Sequence, residues 1–372
     1  MIYLDNAATT PVRREALEAA WPWLSSDFGN PSSKHELGLR AHDALEKSRE
    51  RVAKFFNARS SEITFTSGGT EGANLAIIGL ALANPRGKHL ISAKTEHEAV
   101  LAAIDFLERQ HGFEVSWLPV DGEGRINPAD LSESLRADST LVSLMYANNE
   151  IGIVHPIAEL AEITHQVGAL FHTDAVQAVG WLDCNIKTLG IDALSFSGHK
   201  VGAPKGSGAV FIKARFAVEP LLHGGGQEFE RRSGTENVAW AVALSTALDL
   251  LENSTAEFKR VEKLSKKFID DVLTKVPMAK LSGPTHNRLA NIIGFTFAGL
   301  NGETILLELE RRGIICSSGS ACAAGSDEPS HVLIALGYDP DLAQTAVRFS
   351  LGHFTTEADL DQAVAALVDS VT

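Results

Sequence analysis

A lysine at position 200 lies in a glycine-rich bend, "SFSGHKVGAPKGSG", directly behind the apolar run from Asp192 to Phe196. A lysine that serves only solubility more often lies on a helix face, with its stem along the surface. The amine of a lysine at the end of a buried strand can instead form a Schiff base with a carbonyl group. Two interpretations are therefore open for Lys200, a surface-loop lysine or the covalent anchor of a cofactor.

A carboxylate ends a second apolar run, "ALFHTDAVQAVG", at Asp174, and Gln177 follows three residues later. A carboxylate beside a buried sheet is costly unless a cation or a hydrogen-bond donor faces it. Asp174 is therefore expected either to cap the next short helix or to face a positively charged group of a ligand.

The segment "FTSGGTEGANLAIIGLALA" has the composition of an anion site. We expect a strand that ends at Thr66, a turn of small residues, and an apolar helix that opens at Thr70. A helix N-terminus offers free N–H groups and a positive dipole end, and neighbouring glycines let a phosphate approach. An ordinary glycine turn with a threonine N-cap would give the same pattern. Walker and dinucleotide-binding motifs are absent, so a phosphate here would belong to another kind of cofactor.

Together these three groups are the parts of a pyridoxal-phosphate site. Lys200 would provide the Schiff base, Asp174 would pair with the pyridinium nitrogen, and the helix N-terminus would hold the phosphate. A protonated ring nitrogen lets electrons from a substrate carbanion drain into the ring. The combination predicts pyridoxal 5'-phosphate as the cofactor, with no metal ion.

Between about residues 60 and 215, short apolar runs alternate with longer helical patterns. This alternation is typical of a mainly parallel sheet with helices on both faces, in which ligands bind outside the carboxyl ends of the strands. A long helical stretch with charged faces follows, and from about residue 280 the pattern predicts a smaller α+β domain. The strands predicted in the first region are EITFTS, HLISAK, EVSWLPV, TLVSLMYA, ALFHTDA, DALSFS and GAVFIK.

The composition of the 372 residues, 44% hydrophobic and 22% charged, is that of a soluble globular protein. No apolar stretch approaches the roughly 18 residues that span a bilayer. A net charge of −14 argues against a nucleic-acid duplex or an anionic membrane as the main partner. The N-terminus lacks the features of a signal peptide, so a cytoplasmic location is expected.

The three cysteines are too few for a disulfide framework. Cys184 and Cys316 adjoin apolar residues and are expected to be buried. Cys322 lies instead in "SSGSACAAGSDEPSHVL", where small residues offer few side chains to pack, as is typical of a loop. A buried structural cysteine would lie among apolar neighbours, so a structural role is not expected for Cys322.

Ten motifs in order along residues 3–352 make the chain similar to the cysteine desulfurase family of fold-type I, class-V aminotransferase-like pyridoxal-phosphate enzymes. The stretch around Cys322 resembles the long-loop branch, which supplies sulfur for iron–sulfur clusters or nitrogen fixation. The motifs are YLDNAATT, GNPSSKHELG, FTSGGTEGANLAI, TEHEAV, YANNEIGIVHPI, HTDAVQAVG, SFSGHKVGAPKGSG, RRSGTENV, SSGSACAAGSDEPSHVL and VRFSLG.

The resemblance implies an α/β fold in two domains. A large cofactor-binding domain, residues 14–255, would contain a mainly parallel seven-stranded sheet between helices. A small α+β domain, residues 1–13 and 256–372, would carry the loop with the catalytic cysteine.

The resemblance also implies a role for individual residues. Lys200, Cys322 and His97 would be catalytic, and His97 would stack on the ring and move protons. Asp174 would pair with the ring nitrogen and Gln177 with the ring hydroxyl. The phosphate would be bound by Gly69, Thr70, Ser197 and His199, together with Thr235 from a neighbouring subunit. Asn149 and Arg348 would bind the substrate carboxylate, because a planar guanidinium suits two oxygens.

The implied reaction converts L-cysteine to L-alanine, with the sulfur passed to Cys322 as a persulfide and then to an acceptor such as an iron–sulfur scaffold protein. A homodimer is implied, because Thr235 would be shared. Two alternatives stay open at this point. One is a related pyridoxal-phosphate lyase or transaminase, such as a selenocysteine lyase, that does not need Cys322; the other is a scaffold protein that binds without turnover.

Overall fold

The structure is a computed structural model that describes residues 1–84, 86–251, 255–319 and 328–371. Short 3-10 turns lie at Ser60–Glu62, Gly198–Lys200 and Glu228–Glu230. The strands are β1 (Ile2–Tyr3), β2 (Ile63–Thr66), β3 (His89–Ala93), β4 (Glu114–Leu118), β5 (Ser139–Ser143), β6 (Leu170–Asp174), β7 (Ala193–Ser197), β8 (Gly208–Ile212), β9 (Ala279–Ser282), β10 (Ile292–Phe297), β11 (Ile314–Ile315), β12 (Ser317–Ser318) and β13 (Val347–Ser350). The helices are α1 (Arg14–Ser25), α2 (Glu36–Phe56), α3 (Gly69–Ala83), α4 (Glu98–His111), α5 (Pro128–Ser134), α6 (Ile157–Gln166), α7 (Ile186–Leu189), α8 (Val238–Asp249), α9 (Thr255–Lys275), α10 (Gly302–Arg311), α11 (His331–Ala335), α12 (Pro340–Ala343) and α13 (Glu357–Val371).

The seven strands predicted in the first region form one sheet, in the order β2-β8-β7-β6-β5-β3-β4. The pairs from β7 to β4 are parallel, and β8 is antiparallel to both of its neighbours. The predicted fold class is therefore confirmed. Because β2 and β7 flank the same antiparallel strand, β2 runs in the direction of the parallel strands, and only β8 opposes them.

Both faces of this sheet are buried except along the edge strand β4, and the polar side chains within the buried strands, such as His89 and His172, are hydrogen-bonded to neighbouring strands. Alternate residues of one strand point to opposite faces. Leu141 and Leu170 accordingly pack with α3 and α4 in one apolar cluster, whereas their neighbours Val142 and Phe171 pack in another cluster on the opposite face. Polar groups that follow these strands are therefore confined to the edges of the sheet.

A second sheet, antiparallel in the order β12-β13-β10-β9, packs against α9 and α13 around buried phenylalanines such as Phe268, Phe295 and Phe349. The N-terminus belongs to this region, because β1 pairs in parallel with β11 and Asp5 forms a bridge with Ser350. No helix within the described ranges has the length and apolar character needed to cross a membrane.

The structure differs from the predicted elements at four places. The stretch predicted as one long helix consists of two helices, of which α8 ends at Asp249 and α9 begins at Thr255. Strands β1 and β9 are not predicted, because two residues are too few for a pattern and the alternation in "AKLS" covers only four residues. The helix expected to open at Thr70 begins one residue earlier, at Gly69.

A buried ion pair holds the segment after β8 against α2. The guanidinium of Arg49 donates to both carboxylate oxygens of Glu228, at 2.6 and 2.9 Å, and both side chains are only 2% exposed. The guanidinium also lies over the rings of Phe65 and Phe229, at 4.9 and 5.0 Å from their centroids. Glu228, Phe229 and Glu230 all have positive φ, so these contacts must offset the strain of three non-glycine residues in the left-handed region.

Replacing Arg49 by Met should destabilise the fold strongly, because Glu228 would remain buried without its partner. Loss of one member of a buried pair costs about 3–5 kcal/mol. Chemical denaturation of Arg49→Met checks this, with Arg14→Met as the control, since the Arg14–Glu18 pair is exposed and such pairs contribute about 1 kcal/mol or less. Equal losses in the two variants would contradict the role assigned to the buried pair.

Candidate active site

Lys200 ends the 3-10 turn that follows β7, and its side chain is only partly exposed. Its Nζ donates to the backbone oxygens of Ala7, in a short contact, and of Ala8, at 2.8 Å. The amine therefore points to the N-terminal segment and not along the surface, which favours the interpretation of Lys200 as an anchor.

His199 fixes the same N-terminal segment to the turn. Its backbone oxygen accepts from the N–H of Thr10 at 2.9 Å, and its Nδ1 lies 3.1 Å from Oγ1 of Thr9. Burial, with Lys200 and Lys205 adding positive charge, lowers the pKa of His199 to about 4. His199 is therefore neutral at physiological pH and acts there through hydrogen bonds.

Asp174 ends β6 and is buried. Its Oδ1 accepts from the N–H of Val176 at 2.8 Å, as expected for a carboxylate that caps the following turn. Burial raises the pKa of Asp174, while the hydrogen bond from Val176 and the positive charge of Lys200 act in the opposite direction. Gln177 lies one turn further and donates through Nε2 to the oxygen of Ala7 at 3.0 Å, the same oxygen that Lys200 contacts. Lys200 and Gln177, which are both predicted to contact the cofactor, thus donate to the same backbone oxygen, that of Ala7.

The N-terminus of α3 faces the end of β7. Gly68 occupies the N-cap position and no side chain caps the helix, so the alternative of a threonine N-cap at Thr70 is wrong. A Cβ atom on Gly208 would lie 2.6 Å from the Cα of Gly68, and one on Gly69 would lie 2.7 Å from Cγ2 of Val176 and 3.4 Å from the Cβ of Ser197. Glycine is therefore required where this turn approaches the strand ends, and Gly69 and Ser197 line the same cradle.

His97 is the N-cap of α4, and its Nδ1 accepts from the N–H of Ala99 at 3.1 Å. This bond places the proton of the neutral ring on Nε2. The turn before His97 is held by Asn148, whose Nδ2 donates to the oxygen of Thr95 at 3.0 Å.

The two residues after Asn148 contact other parts of the fold, Asn149 the strand β13 of the second sheet and Glu150 the start of α11. The oxygen of Asn149 accepts from Arg348 at 3.0 Å, and Arg348 also donates to Oδ1 of Asp5 at 3.0 Å. Oε2 of buried Glu150 accepts from the hydroxyl of Ser330 at 2.5 Å. The prediction placed Asn149 and Arg348 together, and the structure brings them into contact through the backbone of Asn149.

The contacts described so far include neither Thr235 nor Cys322. Thr235 is exposed and lines a cavity of about 280 Å³ together with Ser67 and Arg232. Cys322 lies outside the described residues, between Gly319 and Glu328. Of the other cysteines, Cys184 is buried as predicted. Cys316 is only partly buried, which corrects the expectation, because it lies between β11 and β12 at the edge of the second apolar cluster.

The family model described as aminotransferase class-V matches residues 2–363. A relative named cysteine desulfurase IscS, from Dictyoglomus turgidum, is 48% identical over 362 residues, which are 97% of this chain and 92% of the relative. The cysteine desulfurase IscS of Methanosarcina thermophila is 46% identical over 97% of this chain and 89% of its own length.

Solved structures agree with this relationship. A protein described as NifS-like superposes with a TM-score of 0.92 at 34% identity, covering 99% of this chain and 98% of that one. A structure described as SspA in complex with cysteine has a TM-score of 0.84 at 34% identity, covering 96% of this chain and all of that one.

Fold and site define a pyridoxal-phosphate enzyme of the α/β class. The cradle at the uncapped start of α3, the amine of Lys200 and the buried acid Asp174 are donors and acceptors that suit this cofactor. The chain belongs to the class-V aminotransferase family, and its relatives there are cysteine desulfurases. The predicted family, enzyme class and cofactor are thereby confirmed.

Sequence reasoning missed Glu96, a buried acid beside this site. Its Oε1 accepts from the N–H of Met145 at 2.7 Å, and its Oε2 has no hydrogen-bond partner within the described residues. Burial, with the negative charge of Asp174 adding to it, raises the pKa of Glu96 well above its ordinary value of 4.5. The available signal is the acidic residue directly before His97 in "TEHEAV", at the junction between β3 and α4.

Replacing Glu96 by Gln should make the protein relatively more stable as the pH rises. Below pH 4.5 the acid is protonated in both the folded and the unfolded state, so wild type and variant are alike in this respect. Above pH 4.5 Glu96 ionises in the unfolded wild type, which lowers the free energy of the unfolded state. The folded wild type keeps the proton until its raised pKa is reached, so the free energy of unfolding of the wild type falls as the pH rises. Melting temperatures measured between about pH 4 and about pH 8 check this.

The control is Glu133→Gln, on the exposed surface of α5. Its difference from wild type should not drift with pH in the same way. A difference between wild type and Glu96→Gln that stays constant, or that shifts in favour of the wild type with rising pH, would contradict the protonated state assigned to Glu96.

Proposed function

We propose that this chain takes sulfur from L-cysteine, leaves L-alanine, and holds the sulfur on Cys322 as a persulfide. The observation that carries this is the convergence of Lys200, Asp174 and the uncapped start of α3 at one edge of the sheet. The relatives named cysteine desulfurase support the choice of reaction, and the neighbour described in complex with cysteine supports the substrate.

Pyridoxal phosphate, when bound, supplies an electrophilic carbon for the substrate amine and an electron sink. Lys200 would hold the cofactor covalently and, together with His97, would move the α-proton of the substrate. Asp174 would keep a proton on the ring nitrogen. Gln177 would face the ring hydroxyl.

The cofactor phosphate would be bound at the start of α3. Backbone N–H groups at Gly69 and Thr70 and the side chains of Ser197 and His199 would hold it. The helix dipole adds a favourable interaction with the negative charge.

Arg348 and Asn149 bind the carboxylate of the substrate. Arg348 is buried and already oriented by Asp5 and by the oxygen of Asn149. An oriented guanidinium loses little freedom when a carboxylate binds, so it selects an amino acid at low entropic cost.

Cys322 accepts the sulfur as a thiolate. Its Sγ attacks the substrate sulfur, an S–S bond forms, and the C–S bond breaks with its electron pair going to the substrate carbon. Protonation of that carbon gives the methyl group of alanine, so the thiol of Cys322 and cysteine become a persulfide and alanine with no external oxidant. Release of the sulfur as sulfide then needs a thiol reductant.

The assembly and partners are further proposals. The protein works as a homodimer in which Thr235 of one subunit contacts the phosphate bound to the other. Sulfur acceptor proteins, such as an iron–sulfur scaffold, receive the persulfide in the cytoplasm. The functional division is a cofactor domain of residues 14–255 and a small domain of residues 1–13 and 256–372.

Replacing Cys322 by Ser should abolish sulfide and alanine production, by at least about 100-fold, because a hydroxyl is a much poorer nucleophile toward sulfur than a thiolate. Purified protein is mixed with pyridoxal phosphate, L-cysteine and a dithiol reductant, and both products are measured. Cys316→Ser is the matched control and should keep its activity. Full turnover in Cys322→Ser would instead favour the lyase alternative that does not need this cysteine.

Replacing Lys200 by Ala should remove the covalently held cofactor. Wild-type protein with pyridoxal phosphate should be yellow and, after borohydride reduction, should carry the cofactor on a peptide that contains Lys200. Lys205→Ala, a neighbour in the same glycine-rich segment, should retain both properties. Reduction that labels another lysine would show that the anchor is assigned to the wrong residue.

A further inference from the structure

Glu71, in the first turn of α3, links two segments that are far apart in the sequence. Its Oε2 accepts from the N–H of Ser67 at 2.8 Å, and its Oε1 accepts from Nε of Arg232 at 2.8 Å. The side chains are 14% and 24% exposed, so this ion pair is partly shielded from solvent. Pairs with this burial and geometry hold their partners more firmly than exposed pairs do.

Ser67 adjoins the proposed phosphate site of its own subunit, and Arg232 adjoins Thr235, which is assigned to the phosphate of the partner subunit. Ser67 directly precedes Gly68 and Gly69, the turn that forms the cradle. Arg232 lies three residues before Thr235, and Ser67, Arg232 and Thr235 line the same cavity of about 280 Å³. The ion pair therefore fixes the phosphate cradle and the Thr235 segment relative to each other.

The charge of Glu71 is unfavourable for phosphate unless it is compensated. Glu71 follows Thr70 directly, at a helix end expected to bind a phosphate with about two negative charges at neutral pH. Burial acts to raise the pKa of Glu71, but the hydrogen bonds from Arg232 and Ser67 outweigh it and lower the pKa. Glu71 is therefore an anion at neutral pH, and Arg232 neutralises it.

We propose that Glu71 and Arg232 form a positioning pair for the cofactor phosphate. Glu71 orients the turn through Ser67 and anchors Arg232, and Arg232 cancels a negative charge that would otherwise repel the phosphate. The inference rests on the proposed function, since it takes the start of α3 as the phosphate site. It assigns to both residues a role in cofactor affinity without direct contact with the reacting atoms.

The test compares the affinity for pyridoxal 5'-phosphate with that for pyridoxal, which lacks the phosphate. Arg232→Met leaves Glu71 charged and uncompensated, so binding of pyridoxal phosphate should weaken by about tenfold or more, while binding of pyridoxal stays within about twofold. Glu71→Gln loses the anchor but also the repelling charge, so its loss should be smaller. Both dissociation constants are measured by absorbance titration of apoprotein.

The double variant Glu71→Gln/Arg232→Met separates charge compensation from packing. It should bind pyridoxal phosphate better than Arg232→Met alone, because no uncompensated anion remains, whereas independent packing losses would add. Arg14→Met is the matched control, since the exposed Arg14–Glu18 pair lies on α1. A melting curve of each apoprotein shows that it is folded.

Each outcome decides the proposal. A loss confined to pyridoxal phosphate, with partial recovery in the double variant, supports it. Equal losses for both ligands, or additive losses in the double variant, overturn it in favour of a general structural role. If the wild type binds neither ligand, the proposed function fails. If the wild type binds both ligands and Arg232→Met binds them equally well, only the positioning role of the pair is overturned.

Discussion

Burial of both faces of the seven-stranded sheet is the constraint on which the site depends. Strands covered by helices on both faces cannot hold an unpaired charge along their length, so charged groups appear only where a strand enters or leaves the sheet. Six of the seven strands run in one direction, and the carboxyl ends of these strands therefore meet at a common edge. Asp174, Lys200 and the turn to His97 arrive there because the same rule of burial acts on β6, β7 and β3.

A second level of organisation comes from the turn Asn148–Glu150. Its three residues contact three different parts of the molecule, namely the turn before His97, the guanidinium of Arg348 and the hydroxyl of Ser330. Buried polar groups have to be paired, so a displacement of any one of these parts would leave unpaired groups in the other two. The groups assigned to proton transfer and to carboxylate binding are thus held in one hydrogen-bonded network, although they come from different sheets.

The sequence predicts the sheet and most of the site because apolar runs and the residues that end them are local signals. All seven strands, and the placement of Asp174 and Lys200 after two of them, follow from such runs. Contacts between distant segments carry no local signal, which is why the oxygens of Ala7 and Ala8 against Lys200, the pairing of Asp5 with Arg348 and the buried acid at position 96 were found only in the structure. Short strands such as β1 are likewise set by their partners and not by their own residues.

The N-terminal segment explains how Lys200 could take up a cofactor without leaving a buried group unpaired. In the structure, Lys200 and Gln177 both donate to the oxygen of Ala7, a buried residue. If the amine forms a covalent bond to the cofactor, as proposed, it gives up at least one of its contacts with Ala7 and Ala8. Gln177 can retain Ala7, and Ala8 is partly exposed to solvent, so the exchange avoids the penalty of about 1–3 kcal/mol for an unsatisfied buried acceptor. Lys200 donates to two backbone oxygens, and Gln177 also donates to one of them. The amine of Lys200 is therefore well suited to release and recapture a ligand.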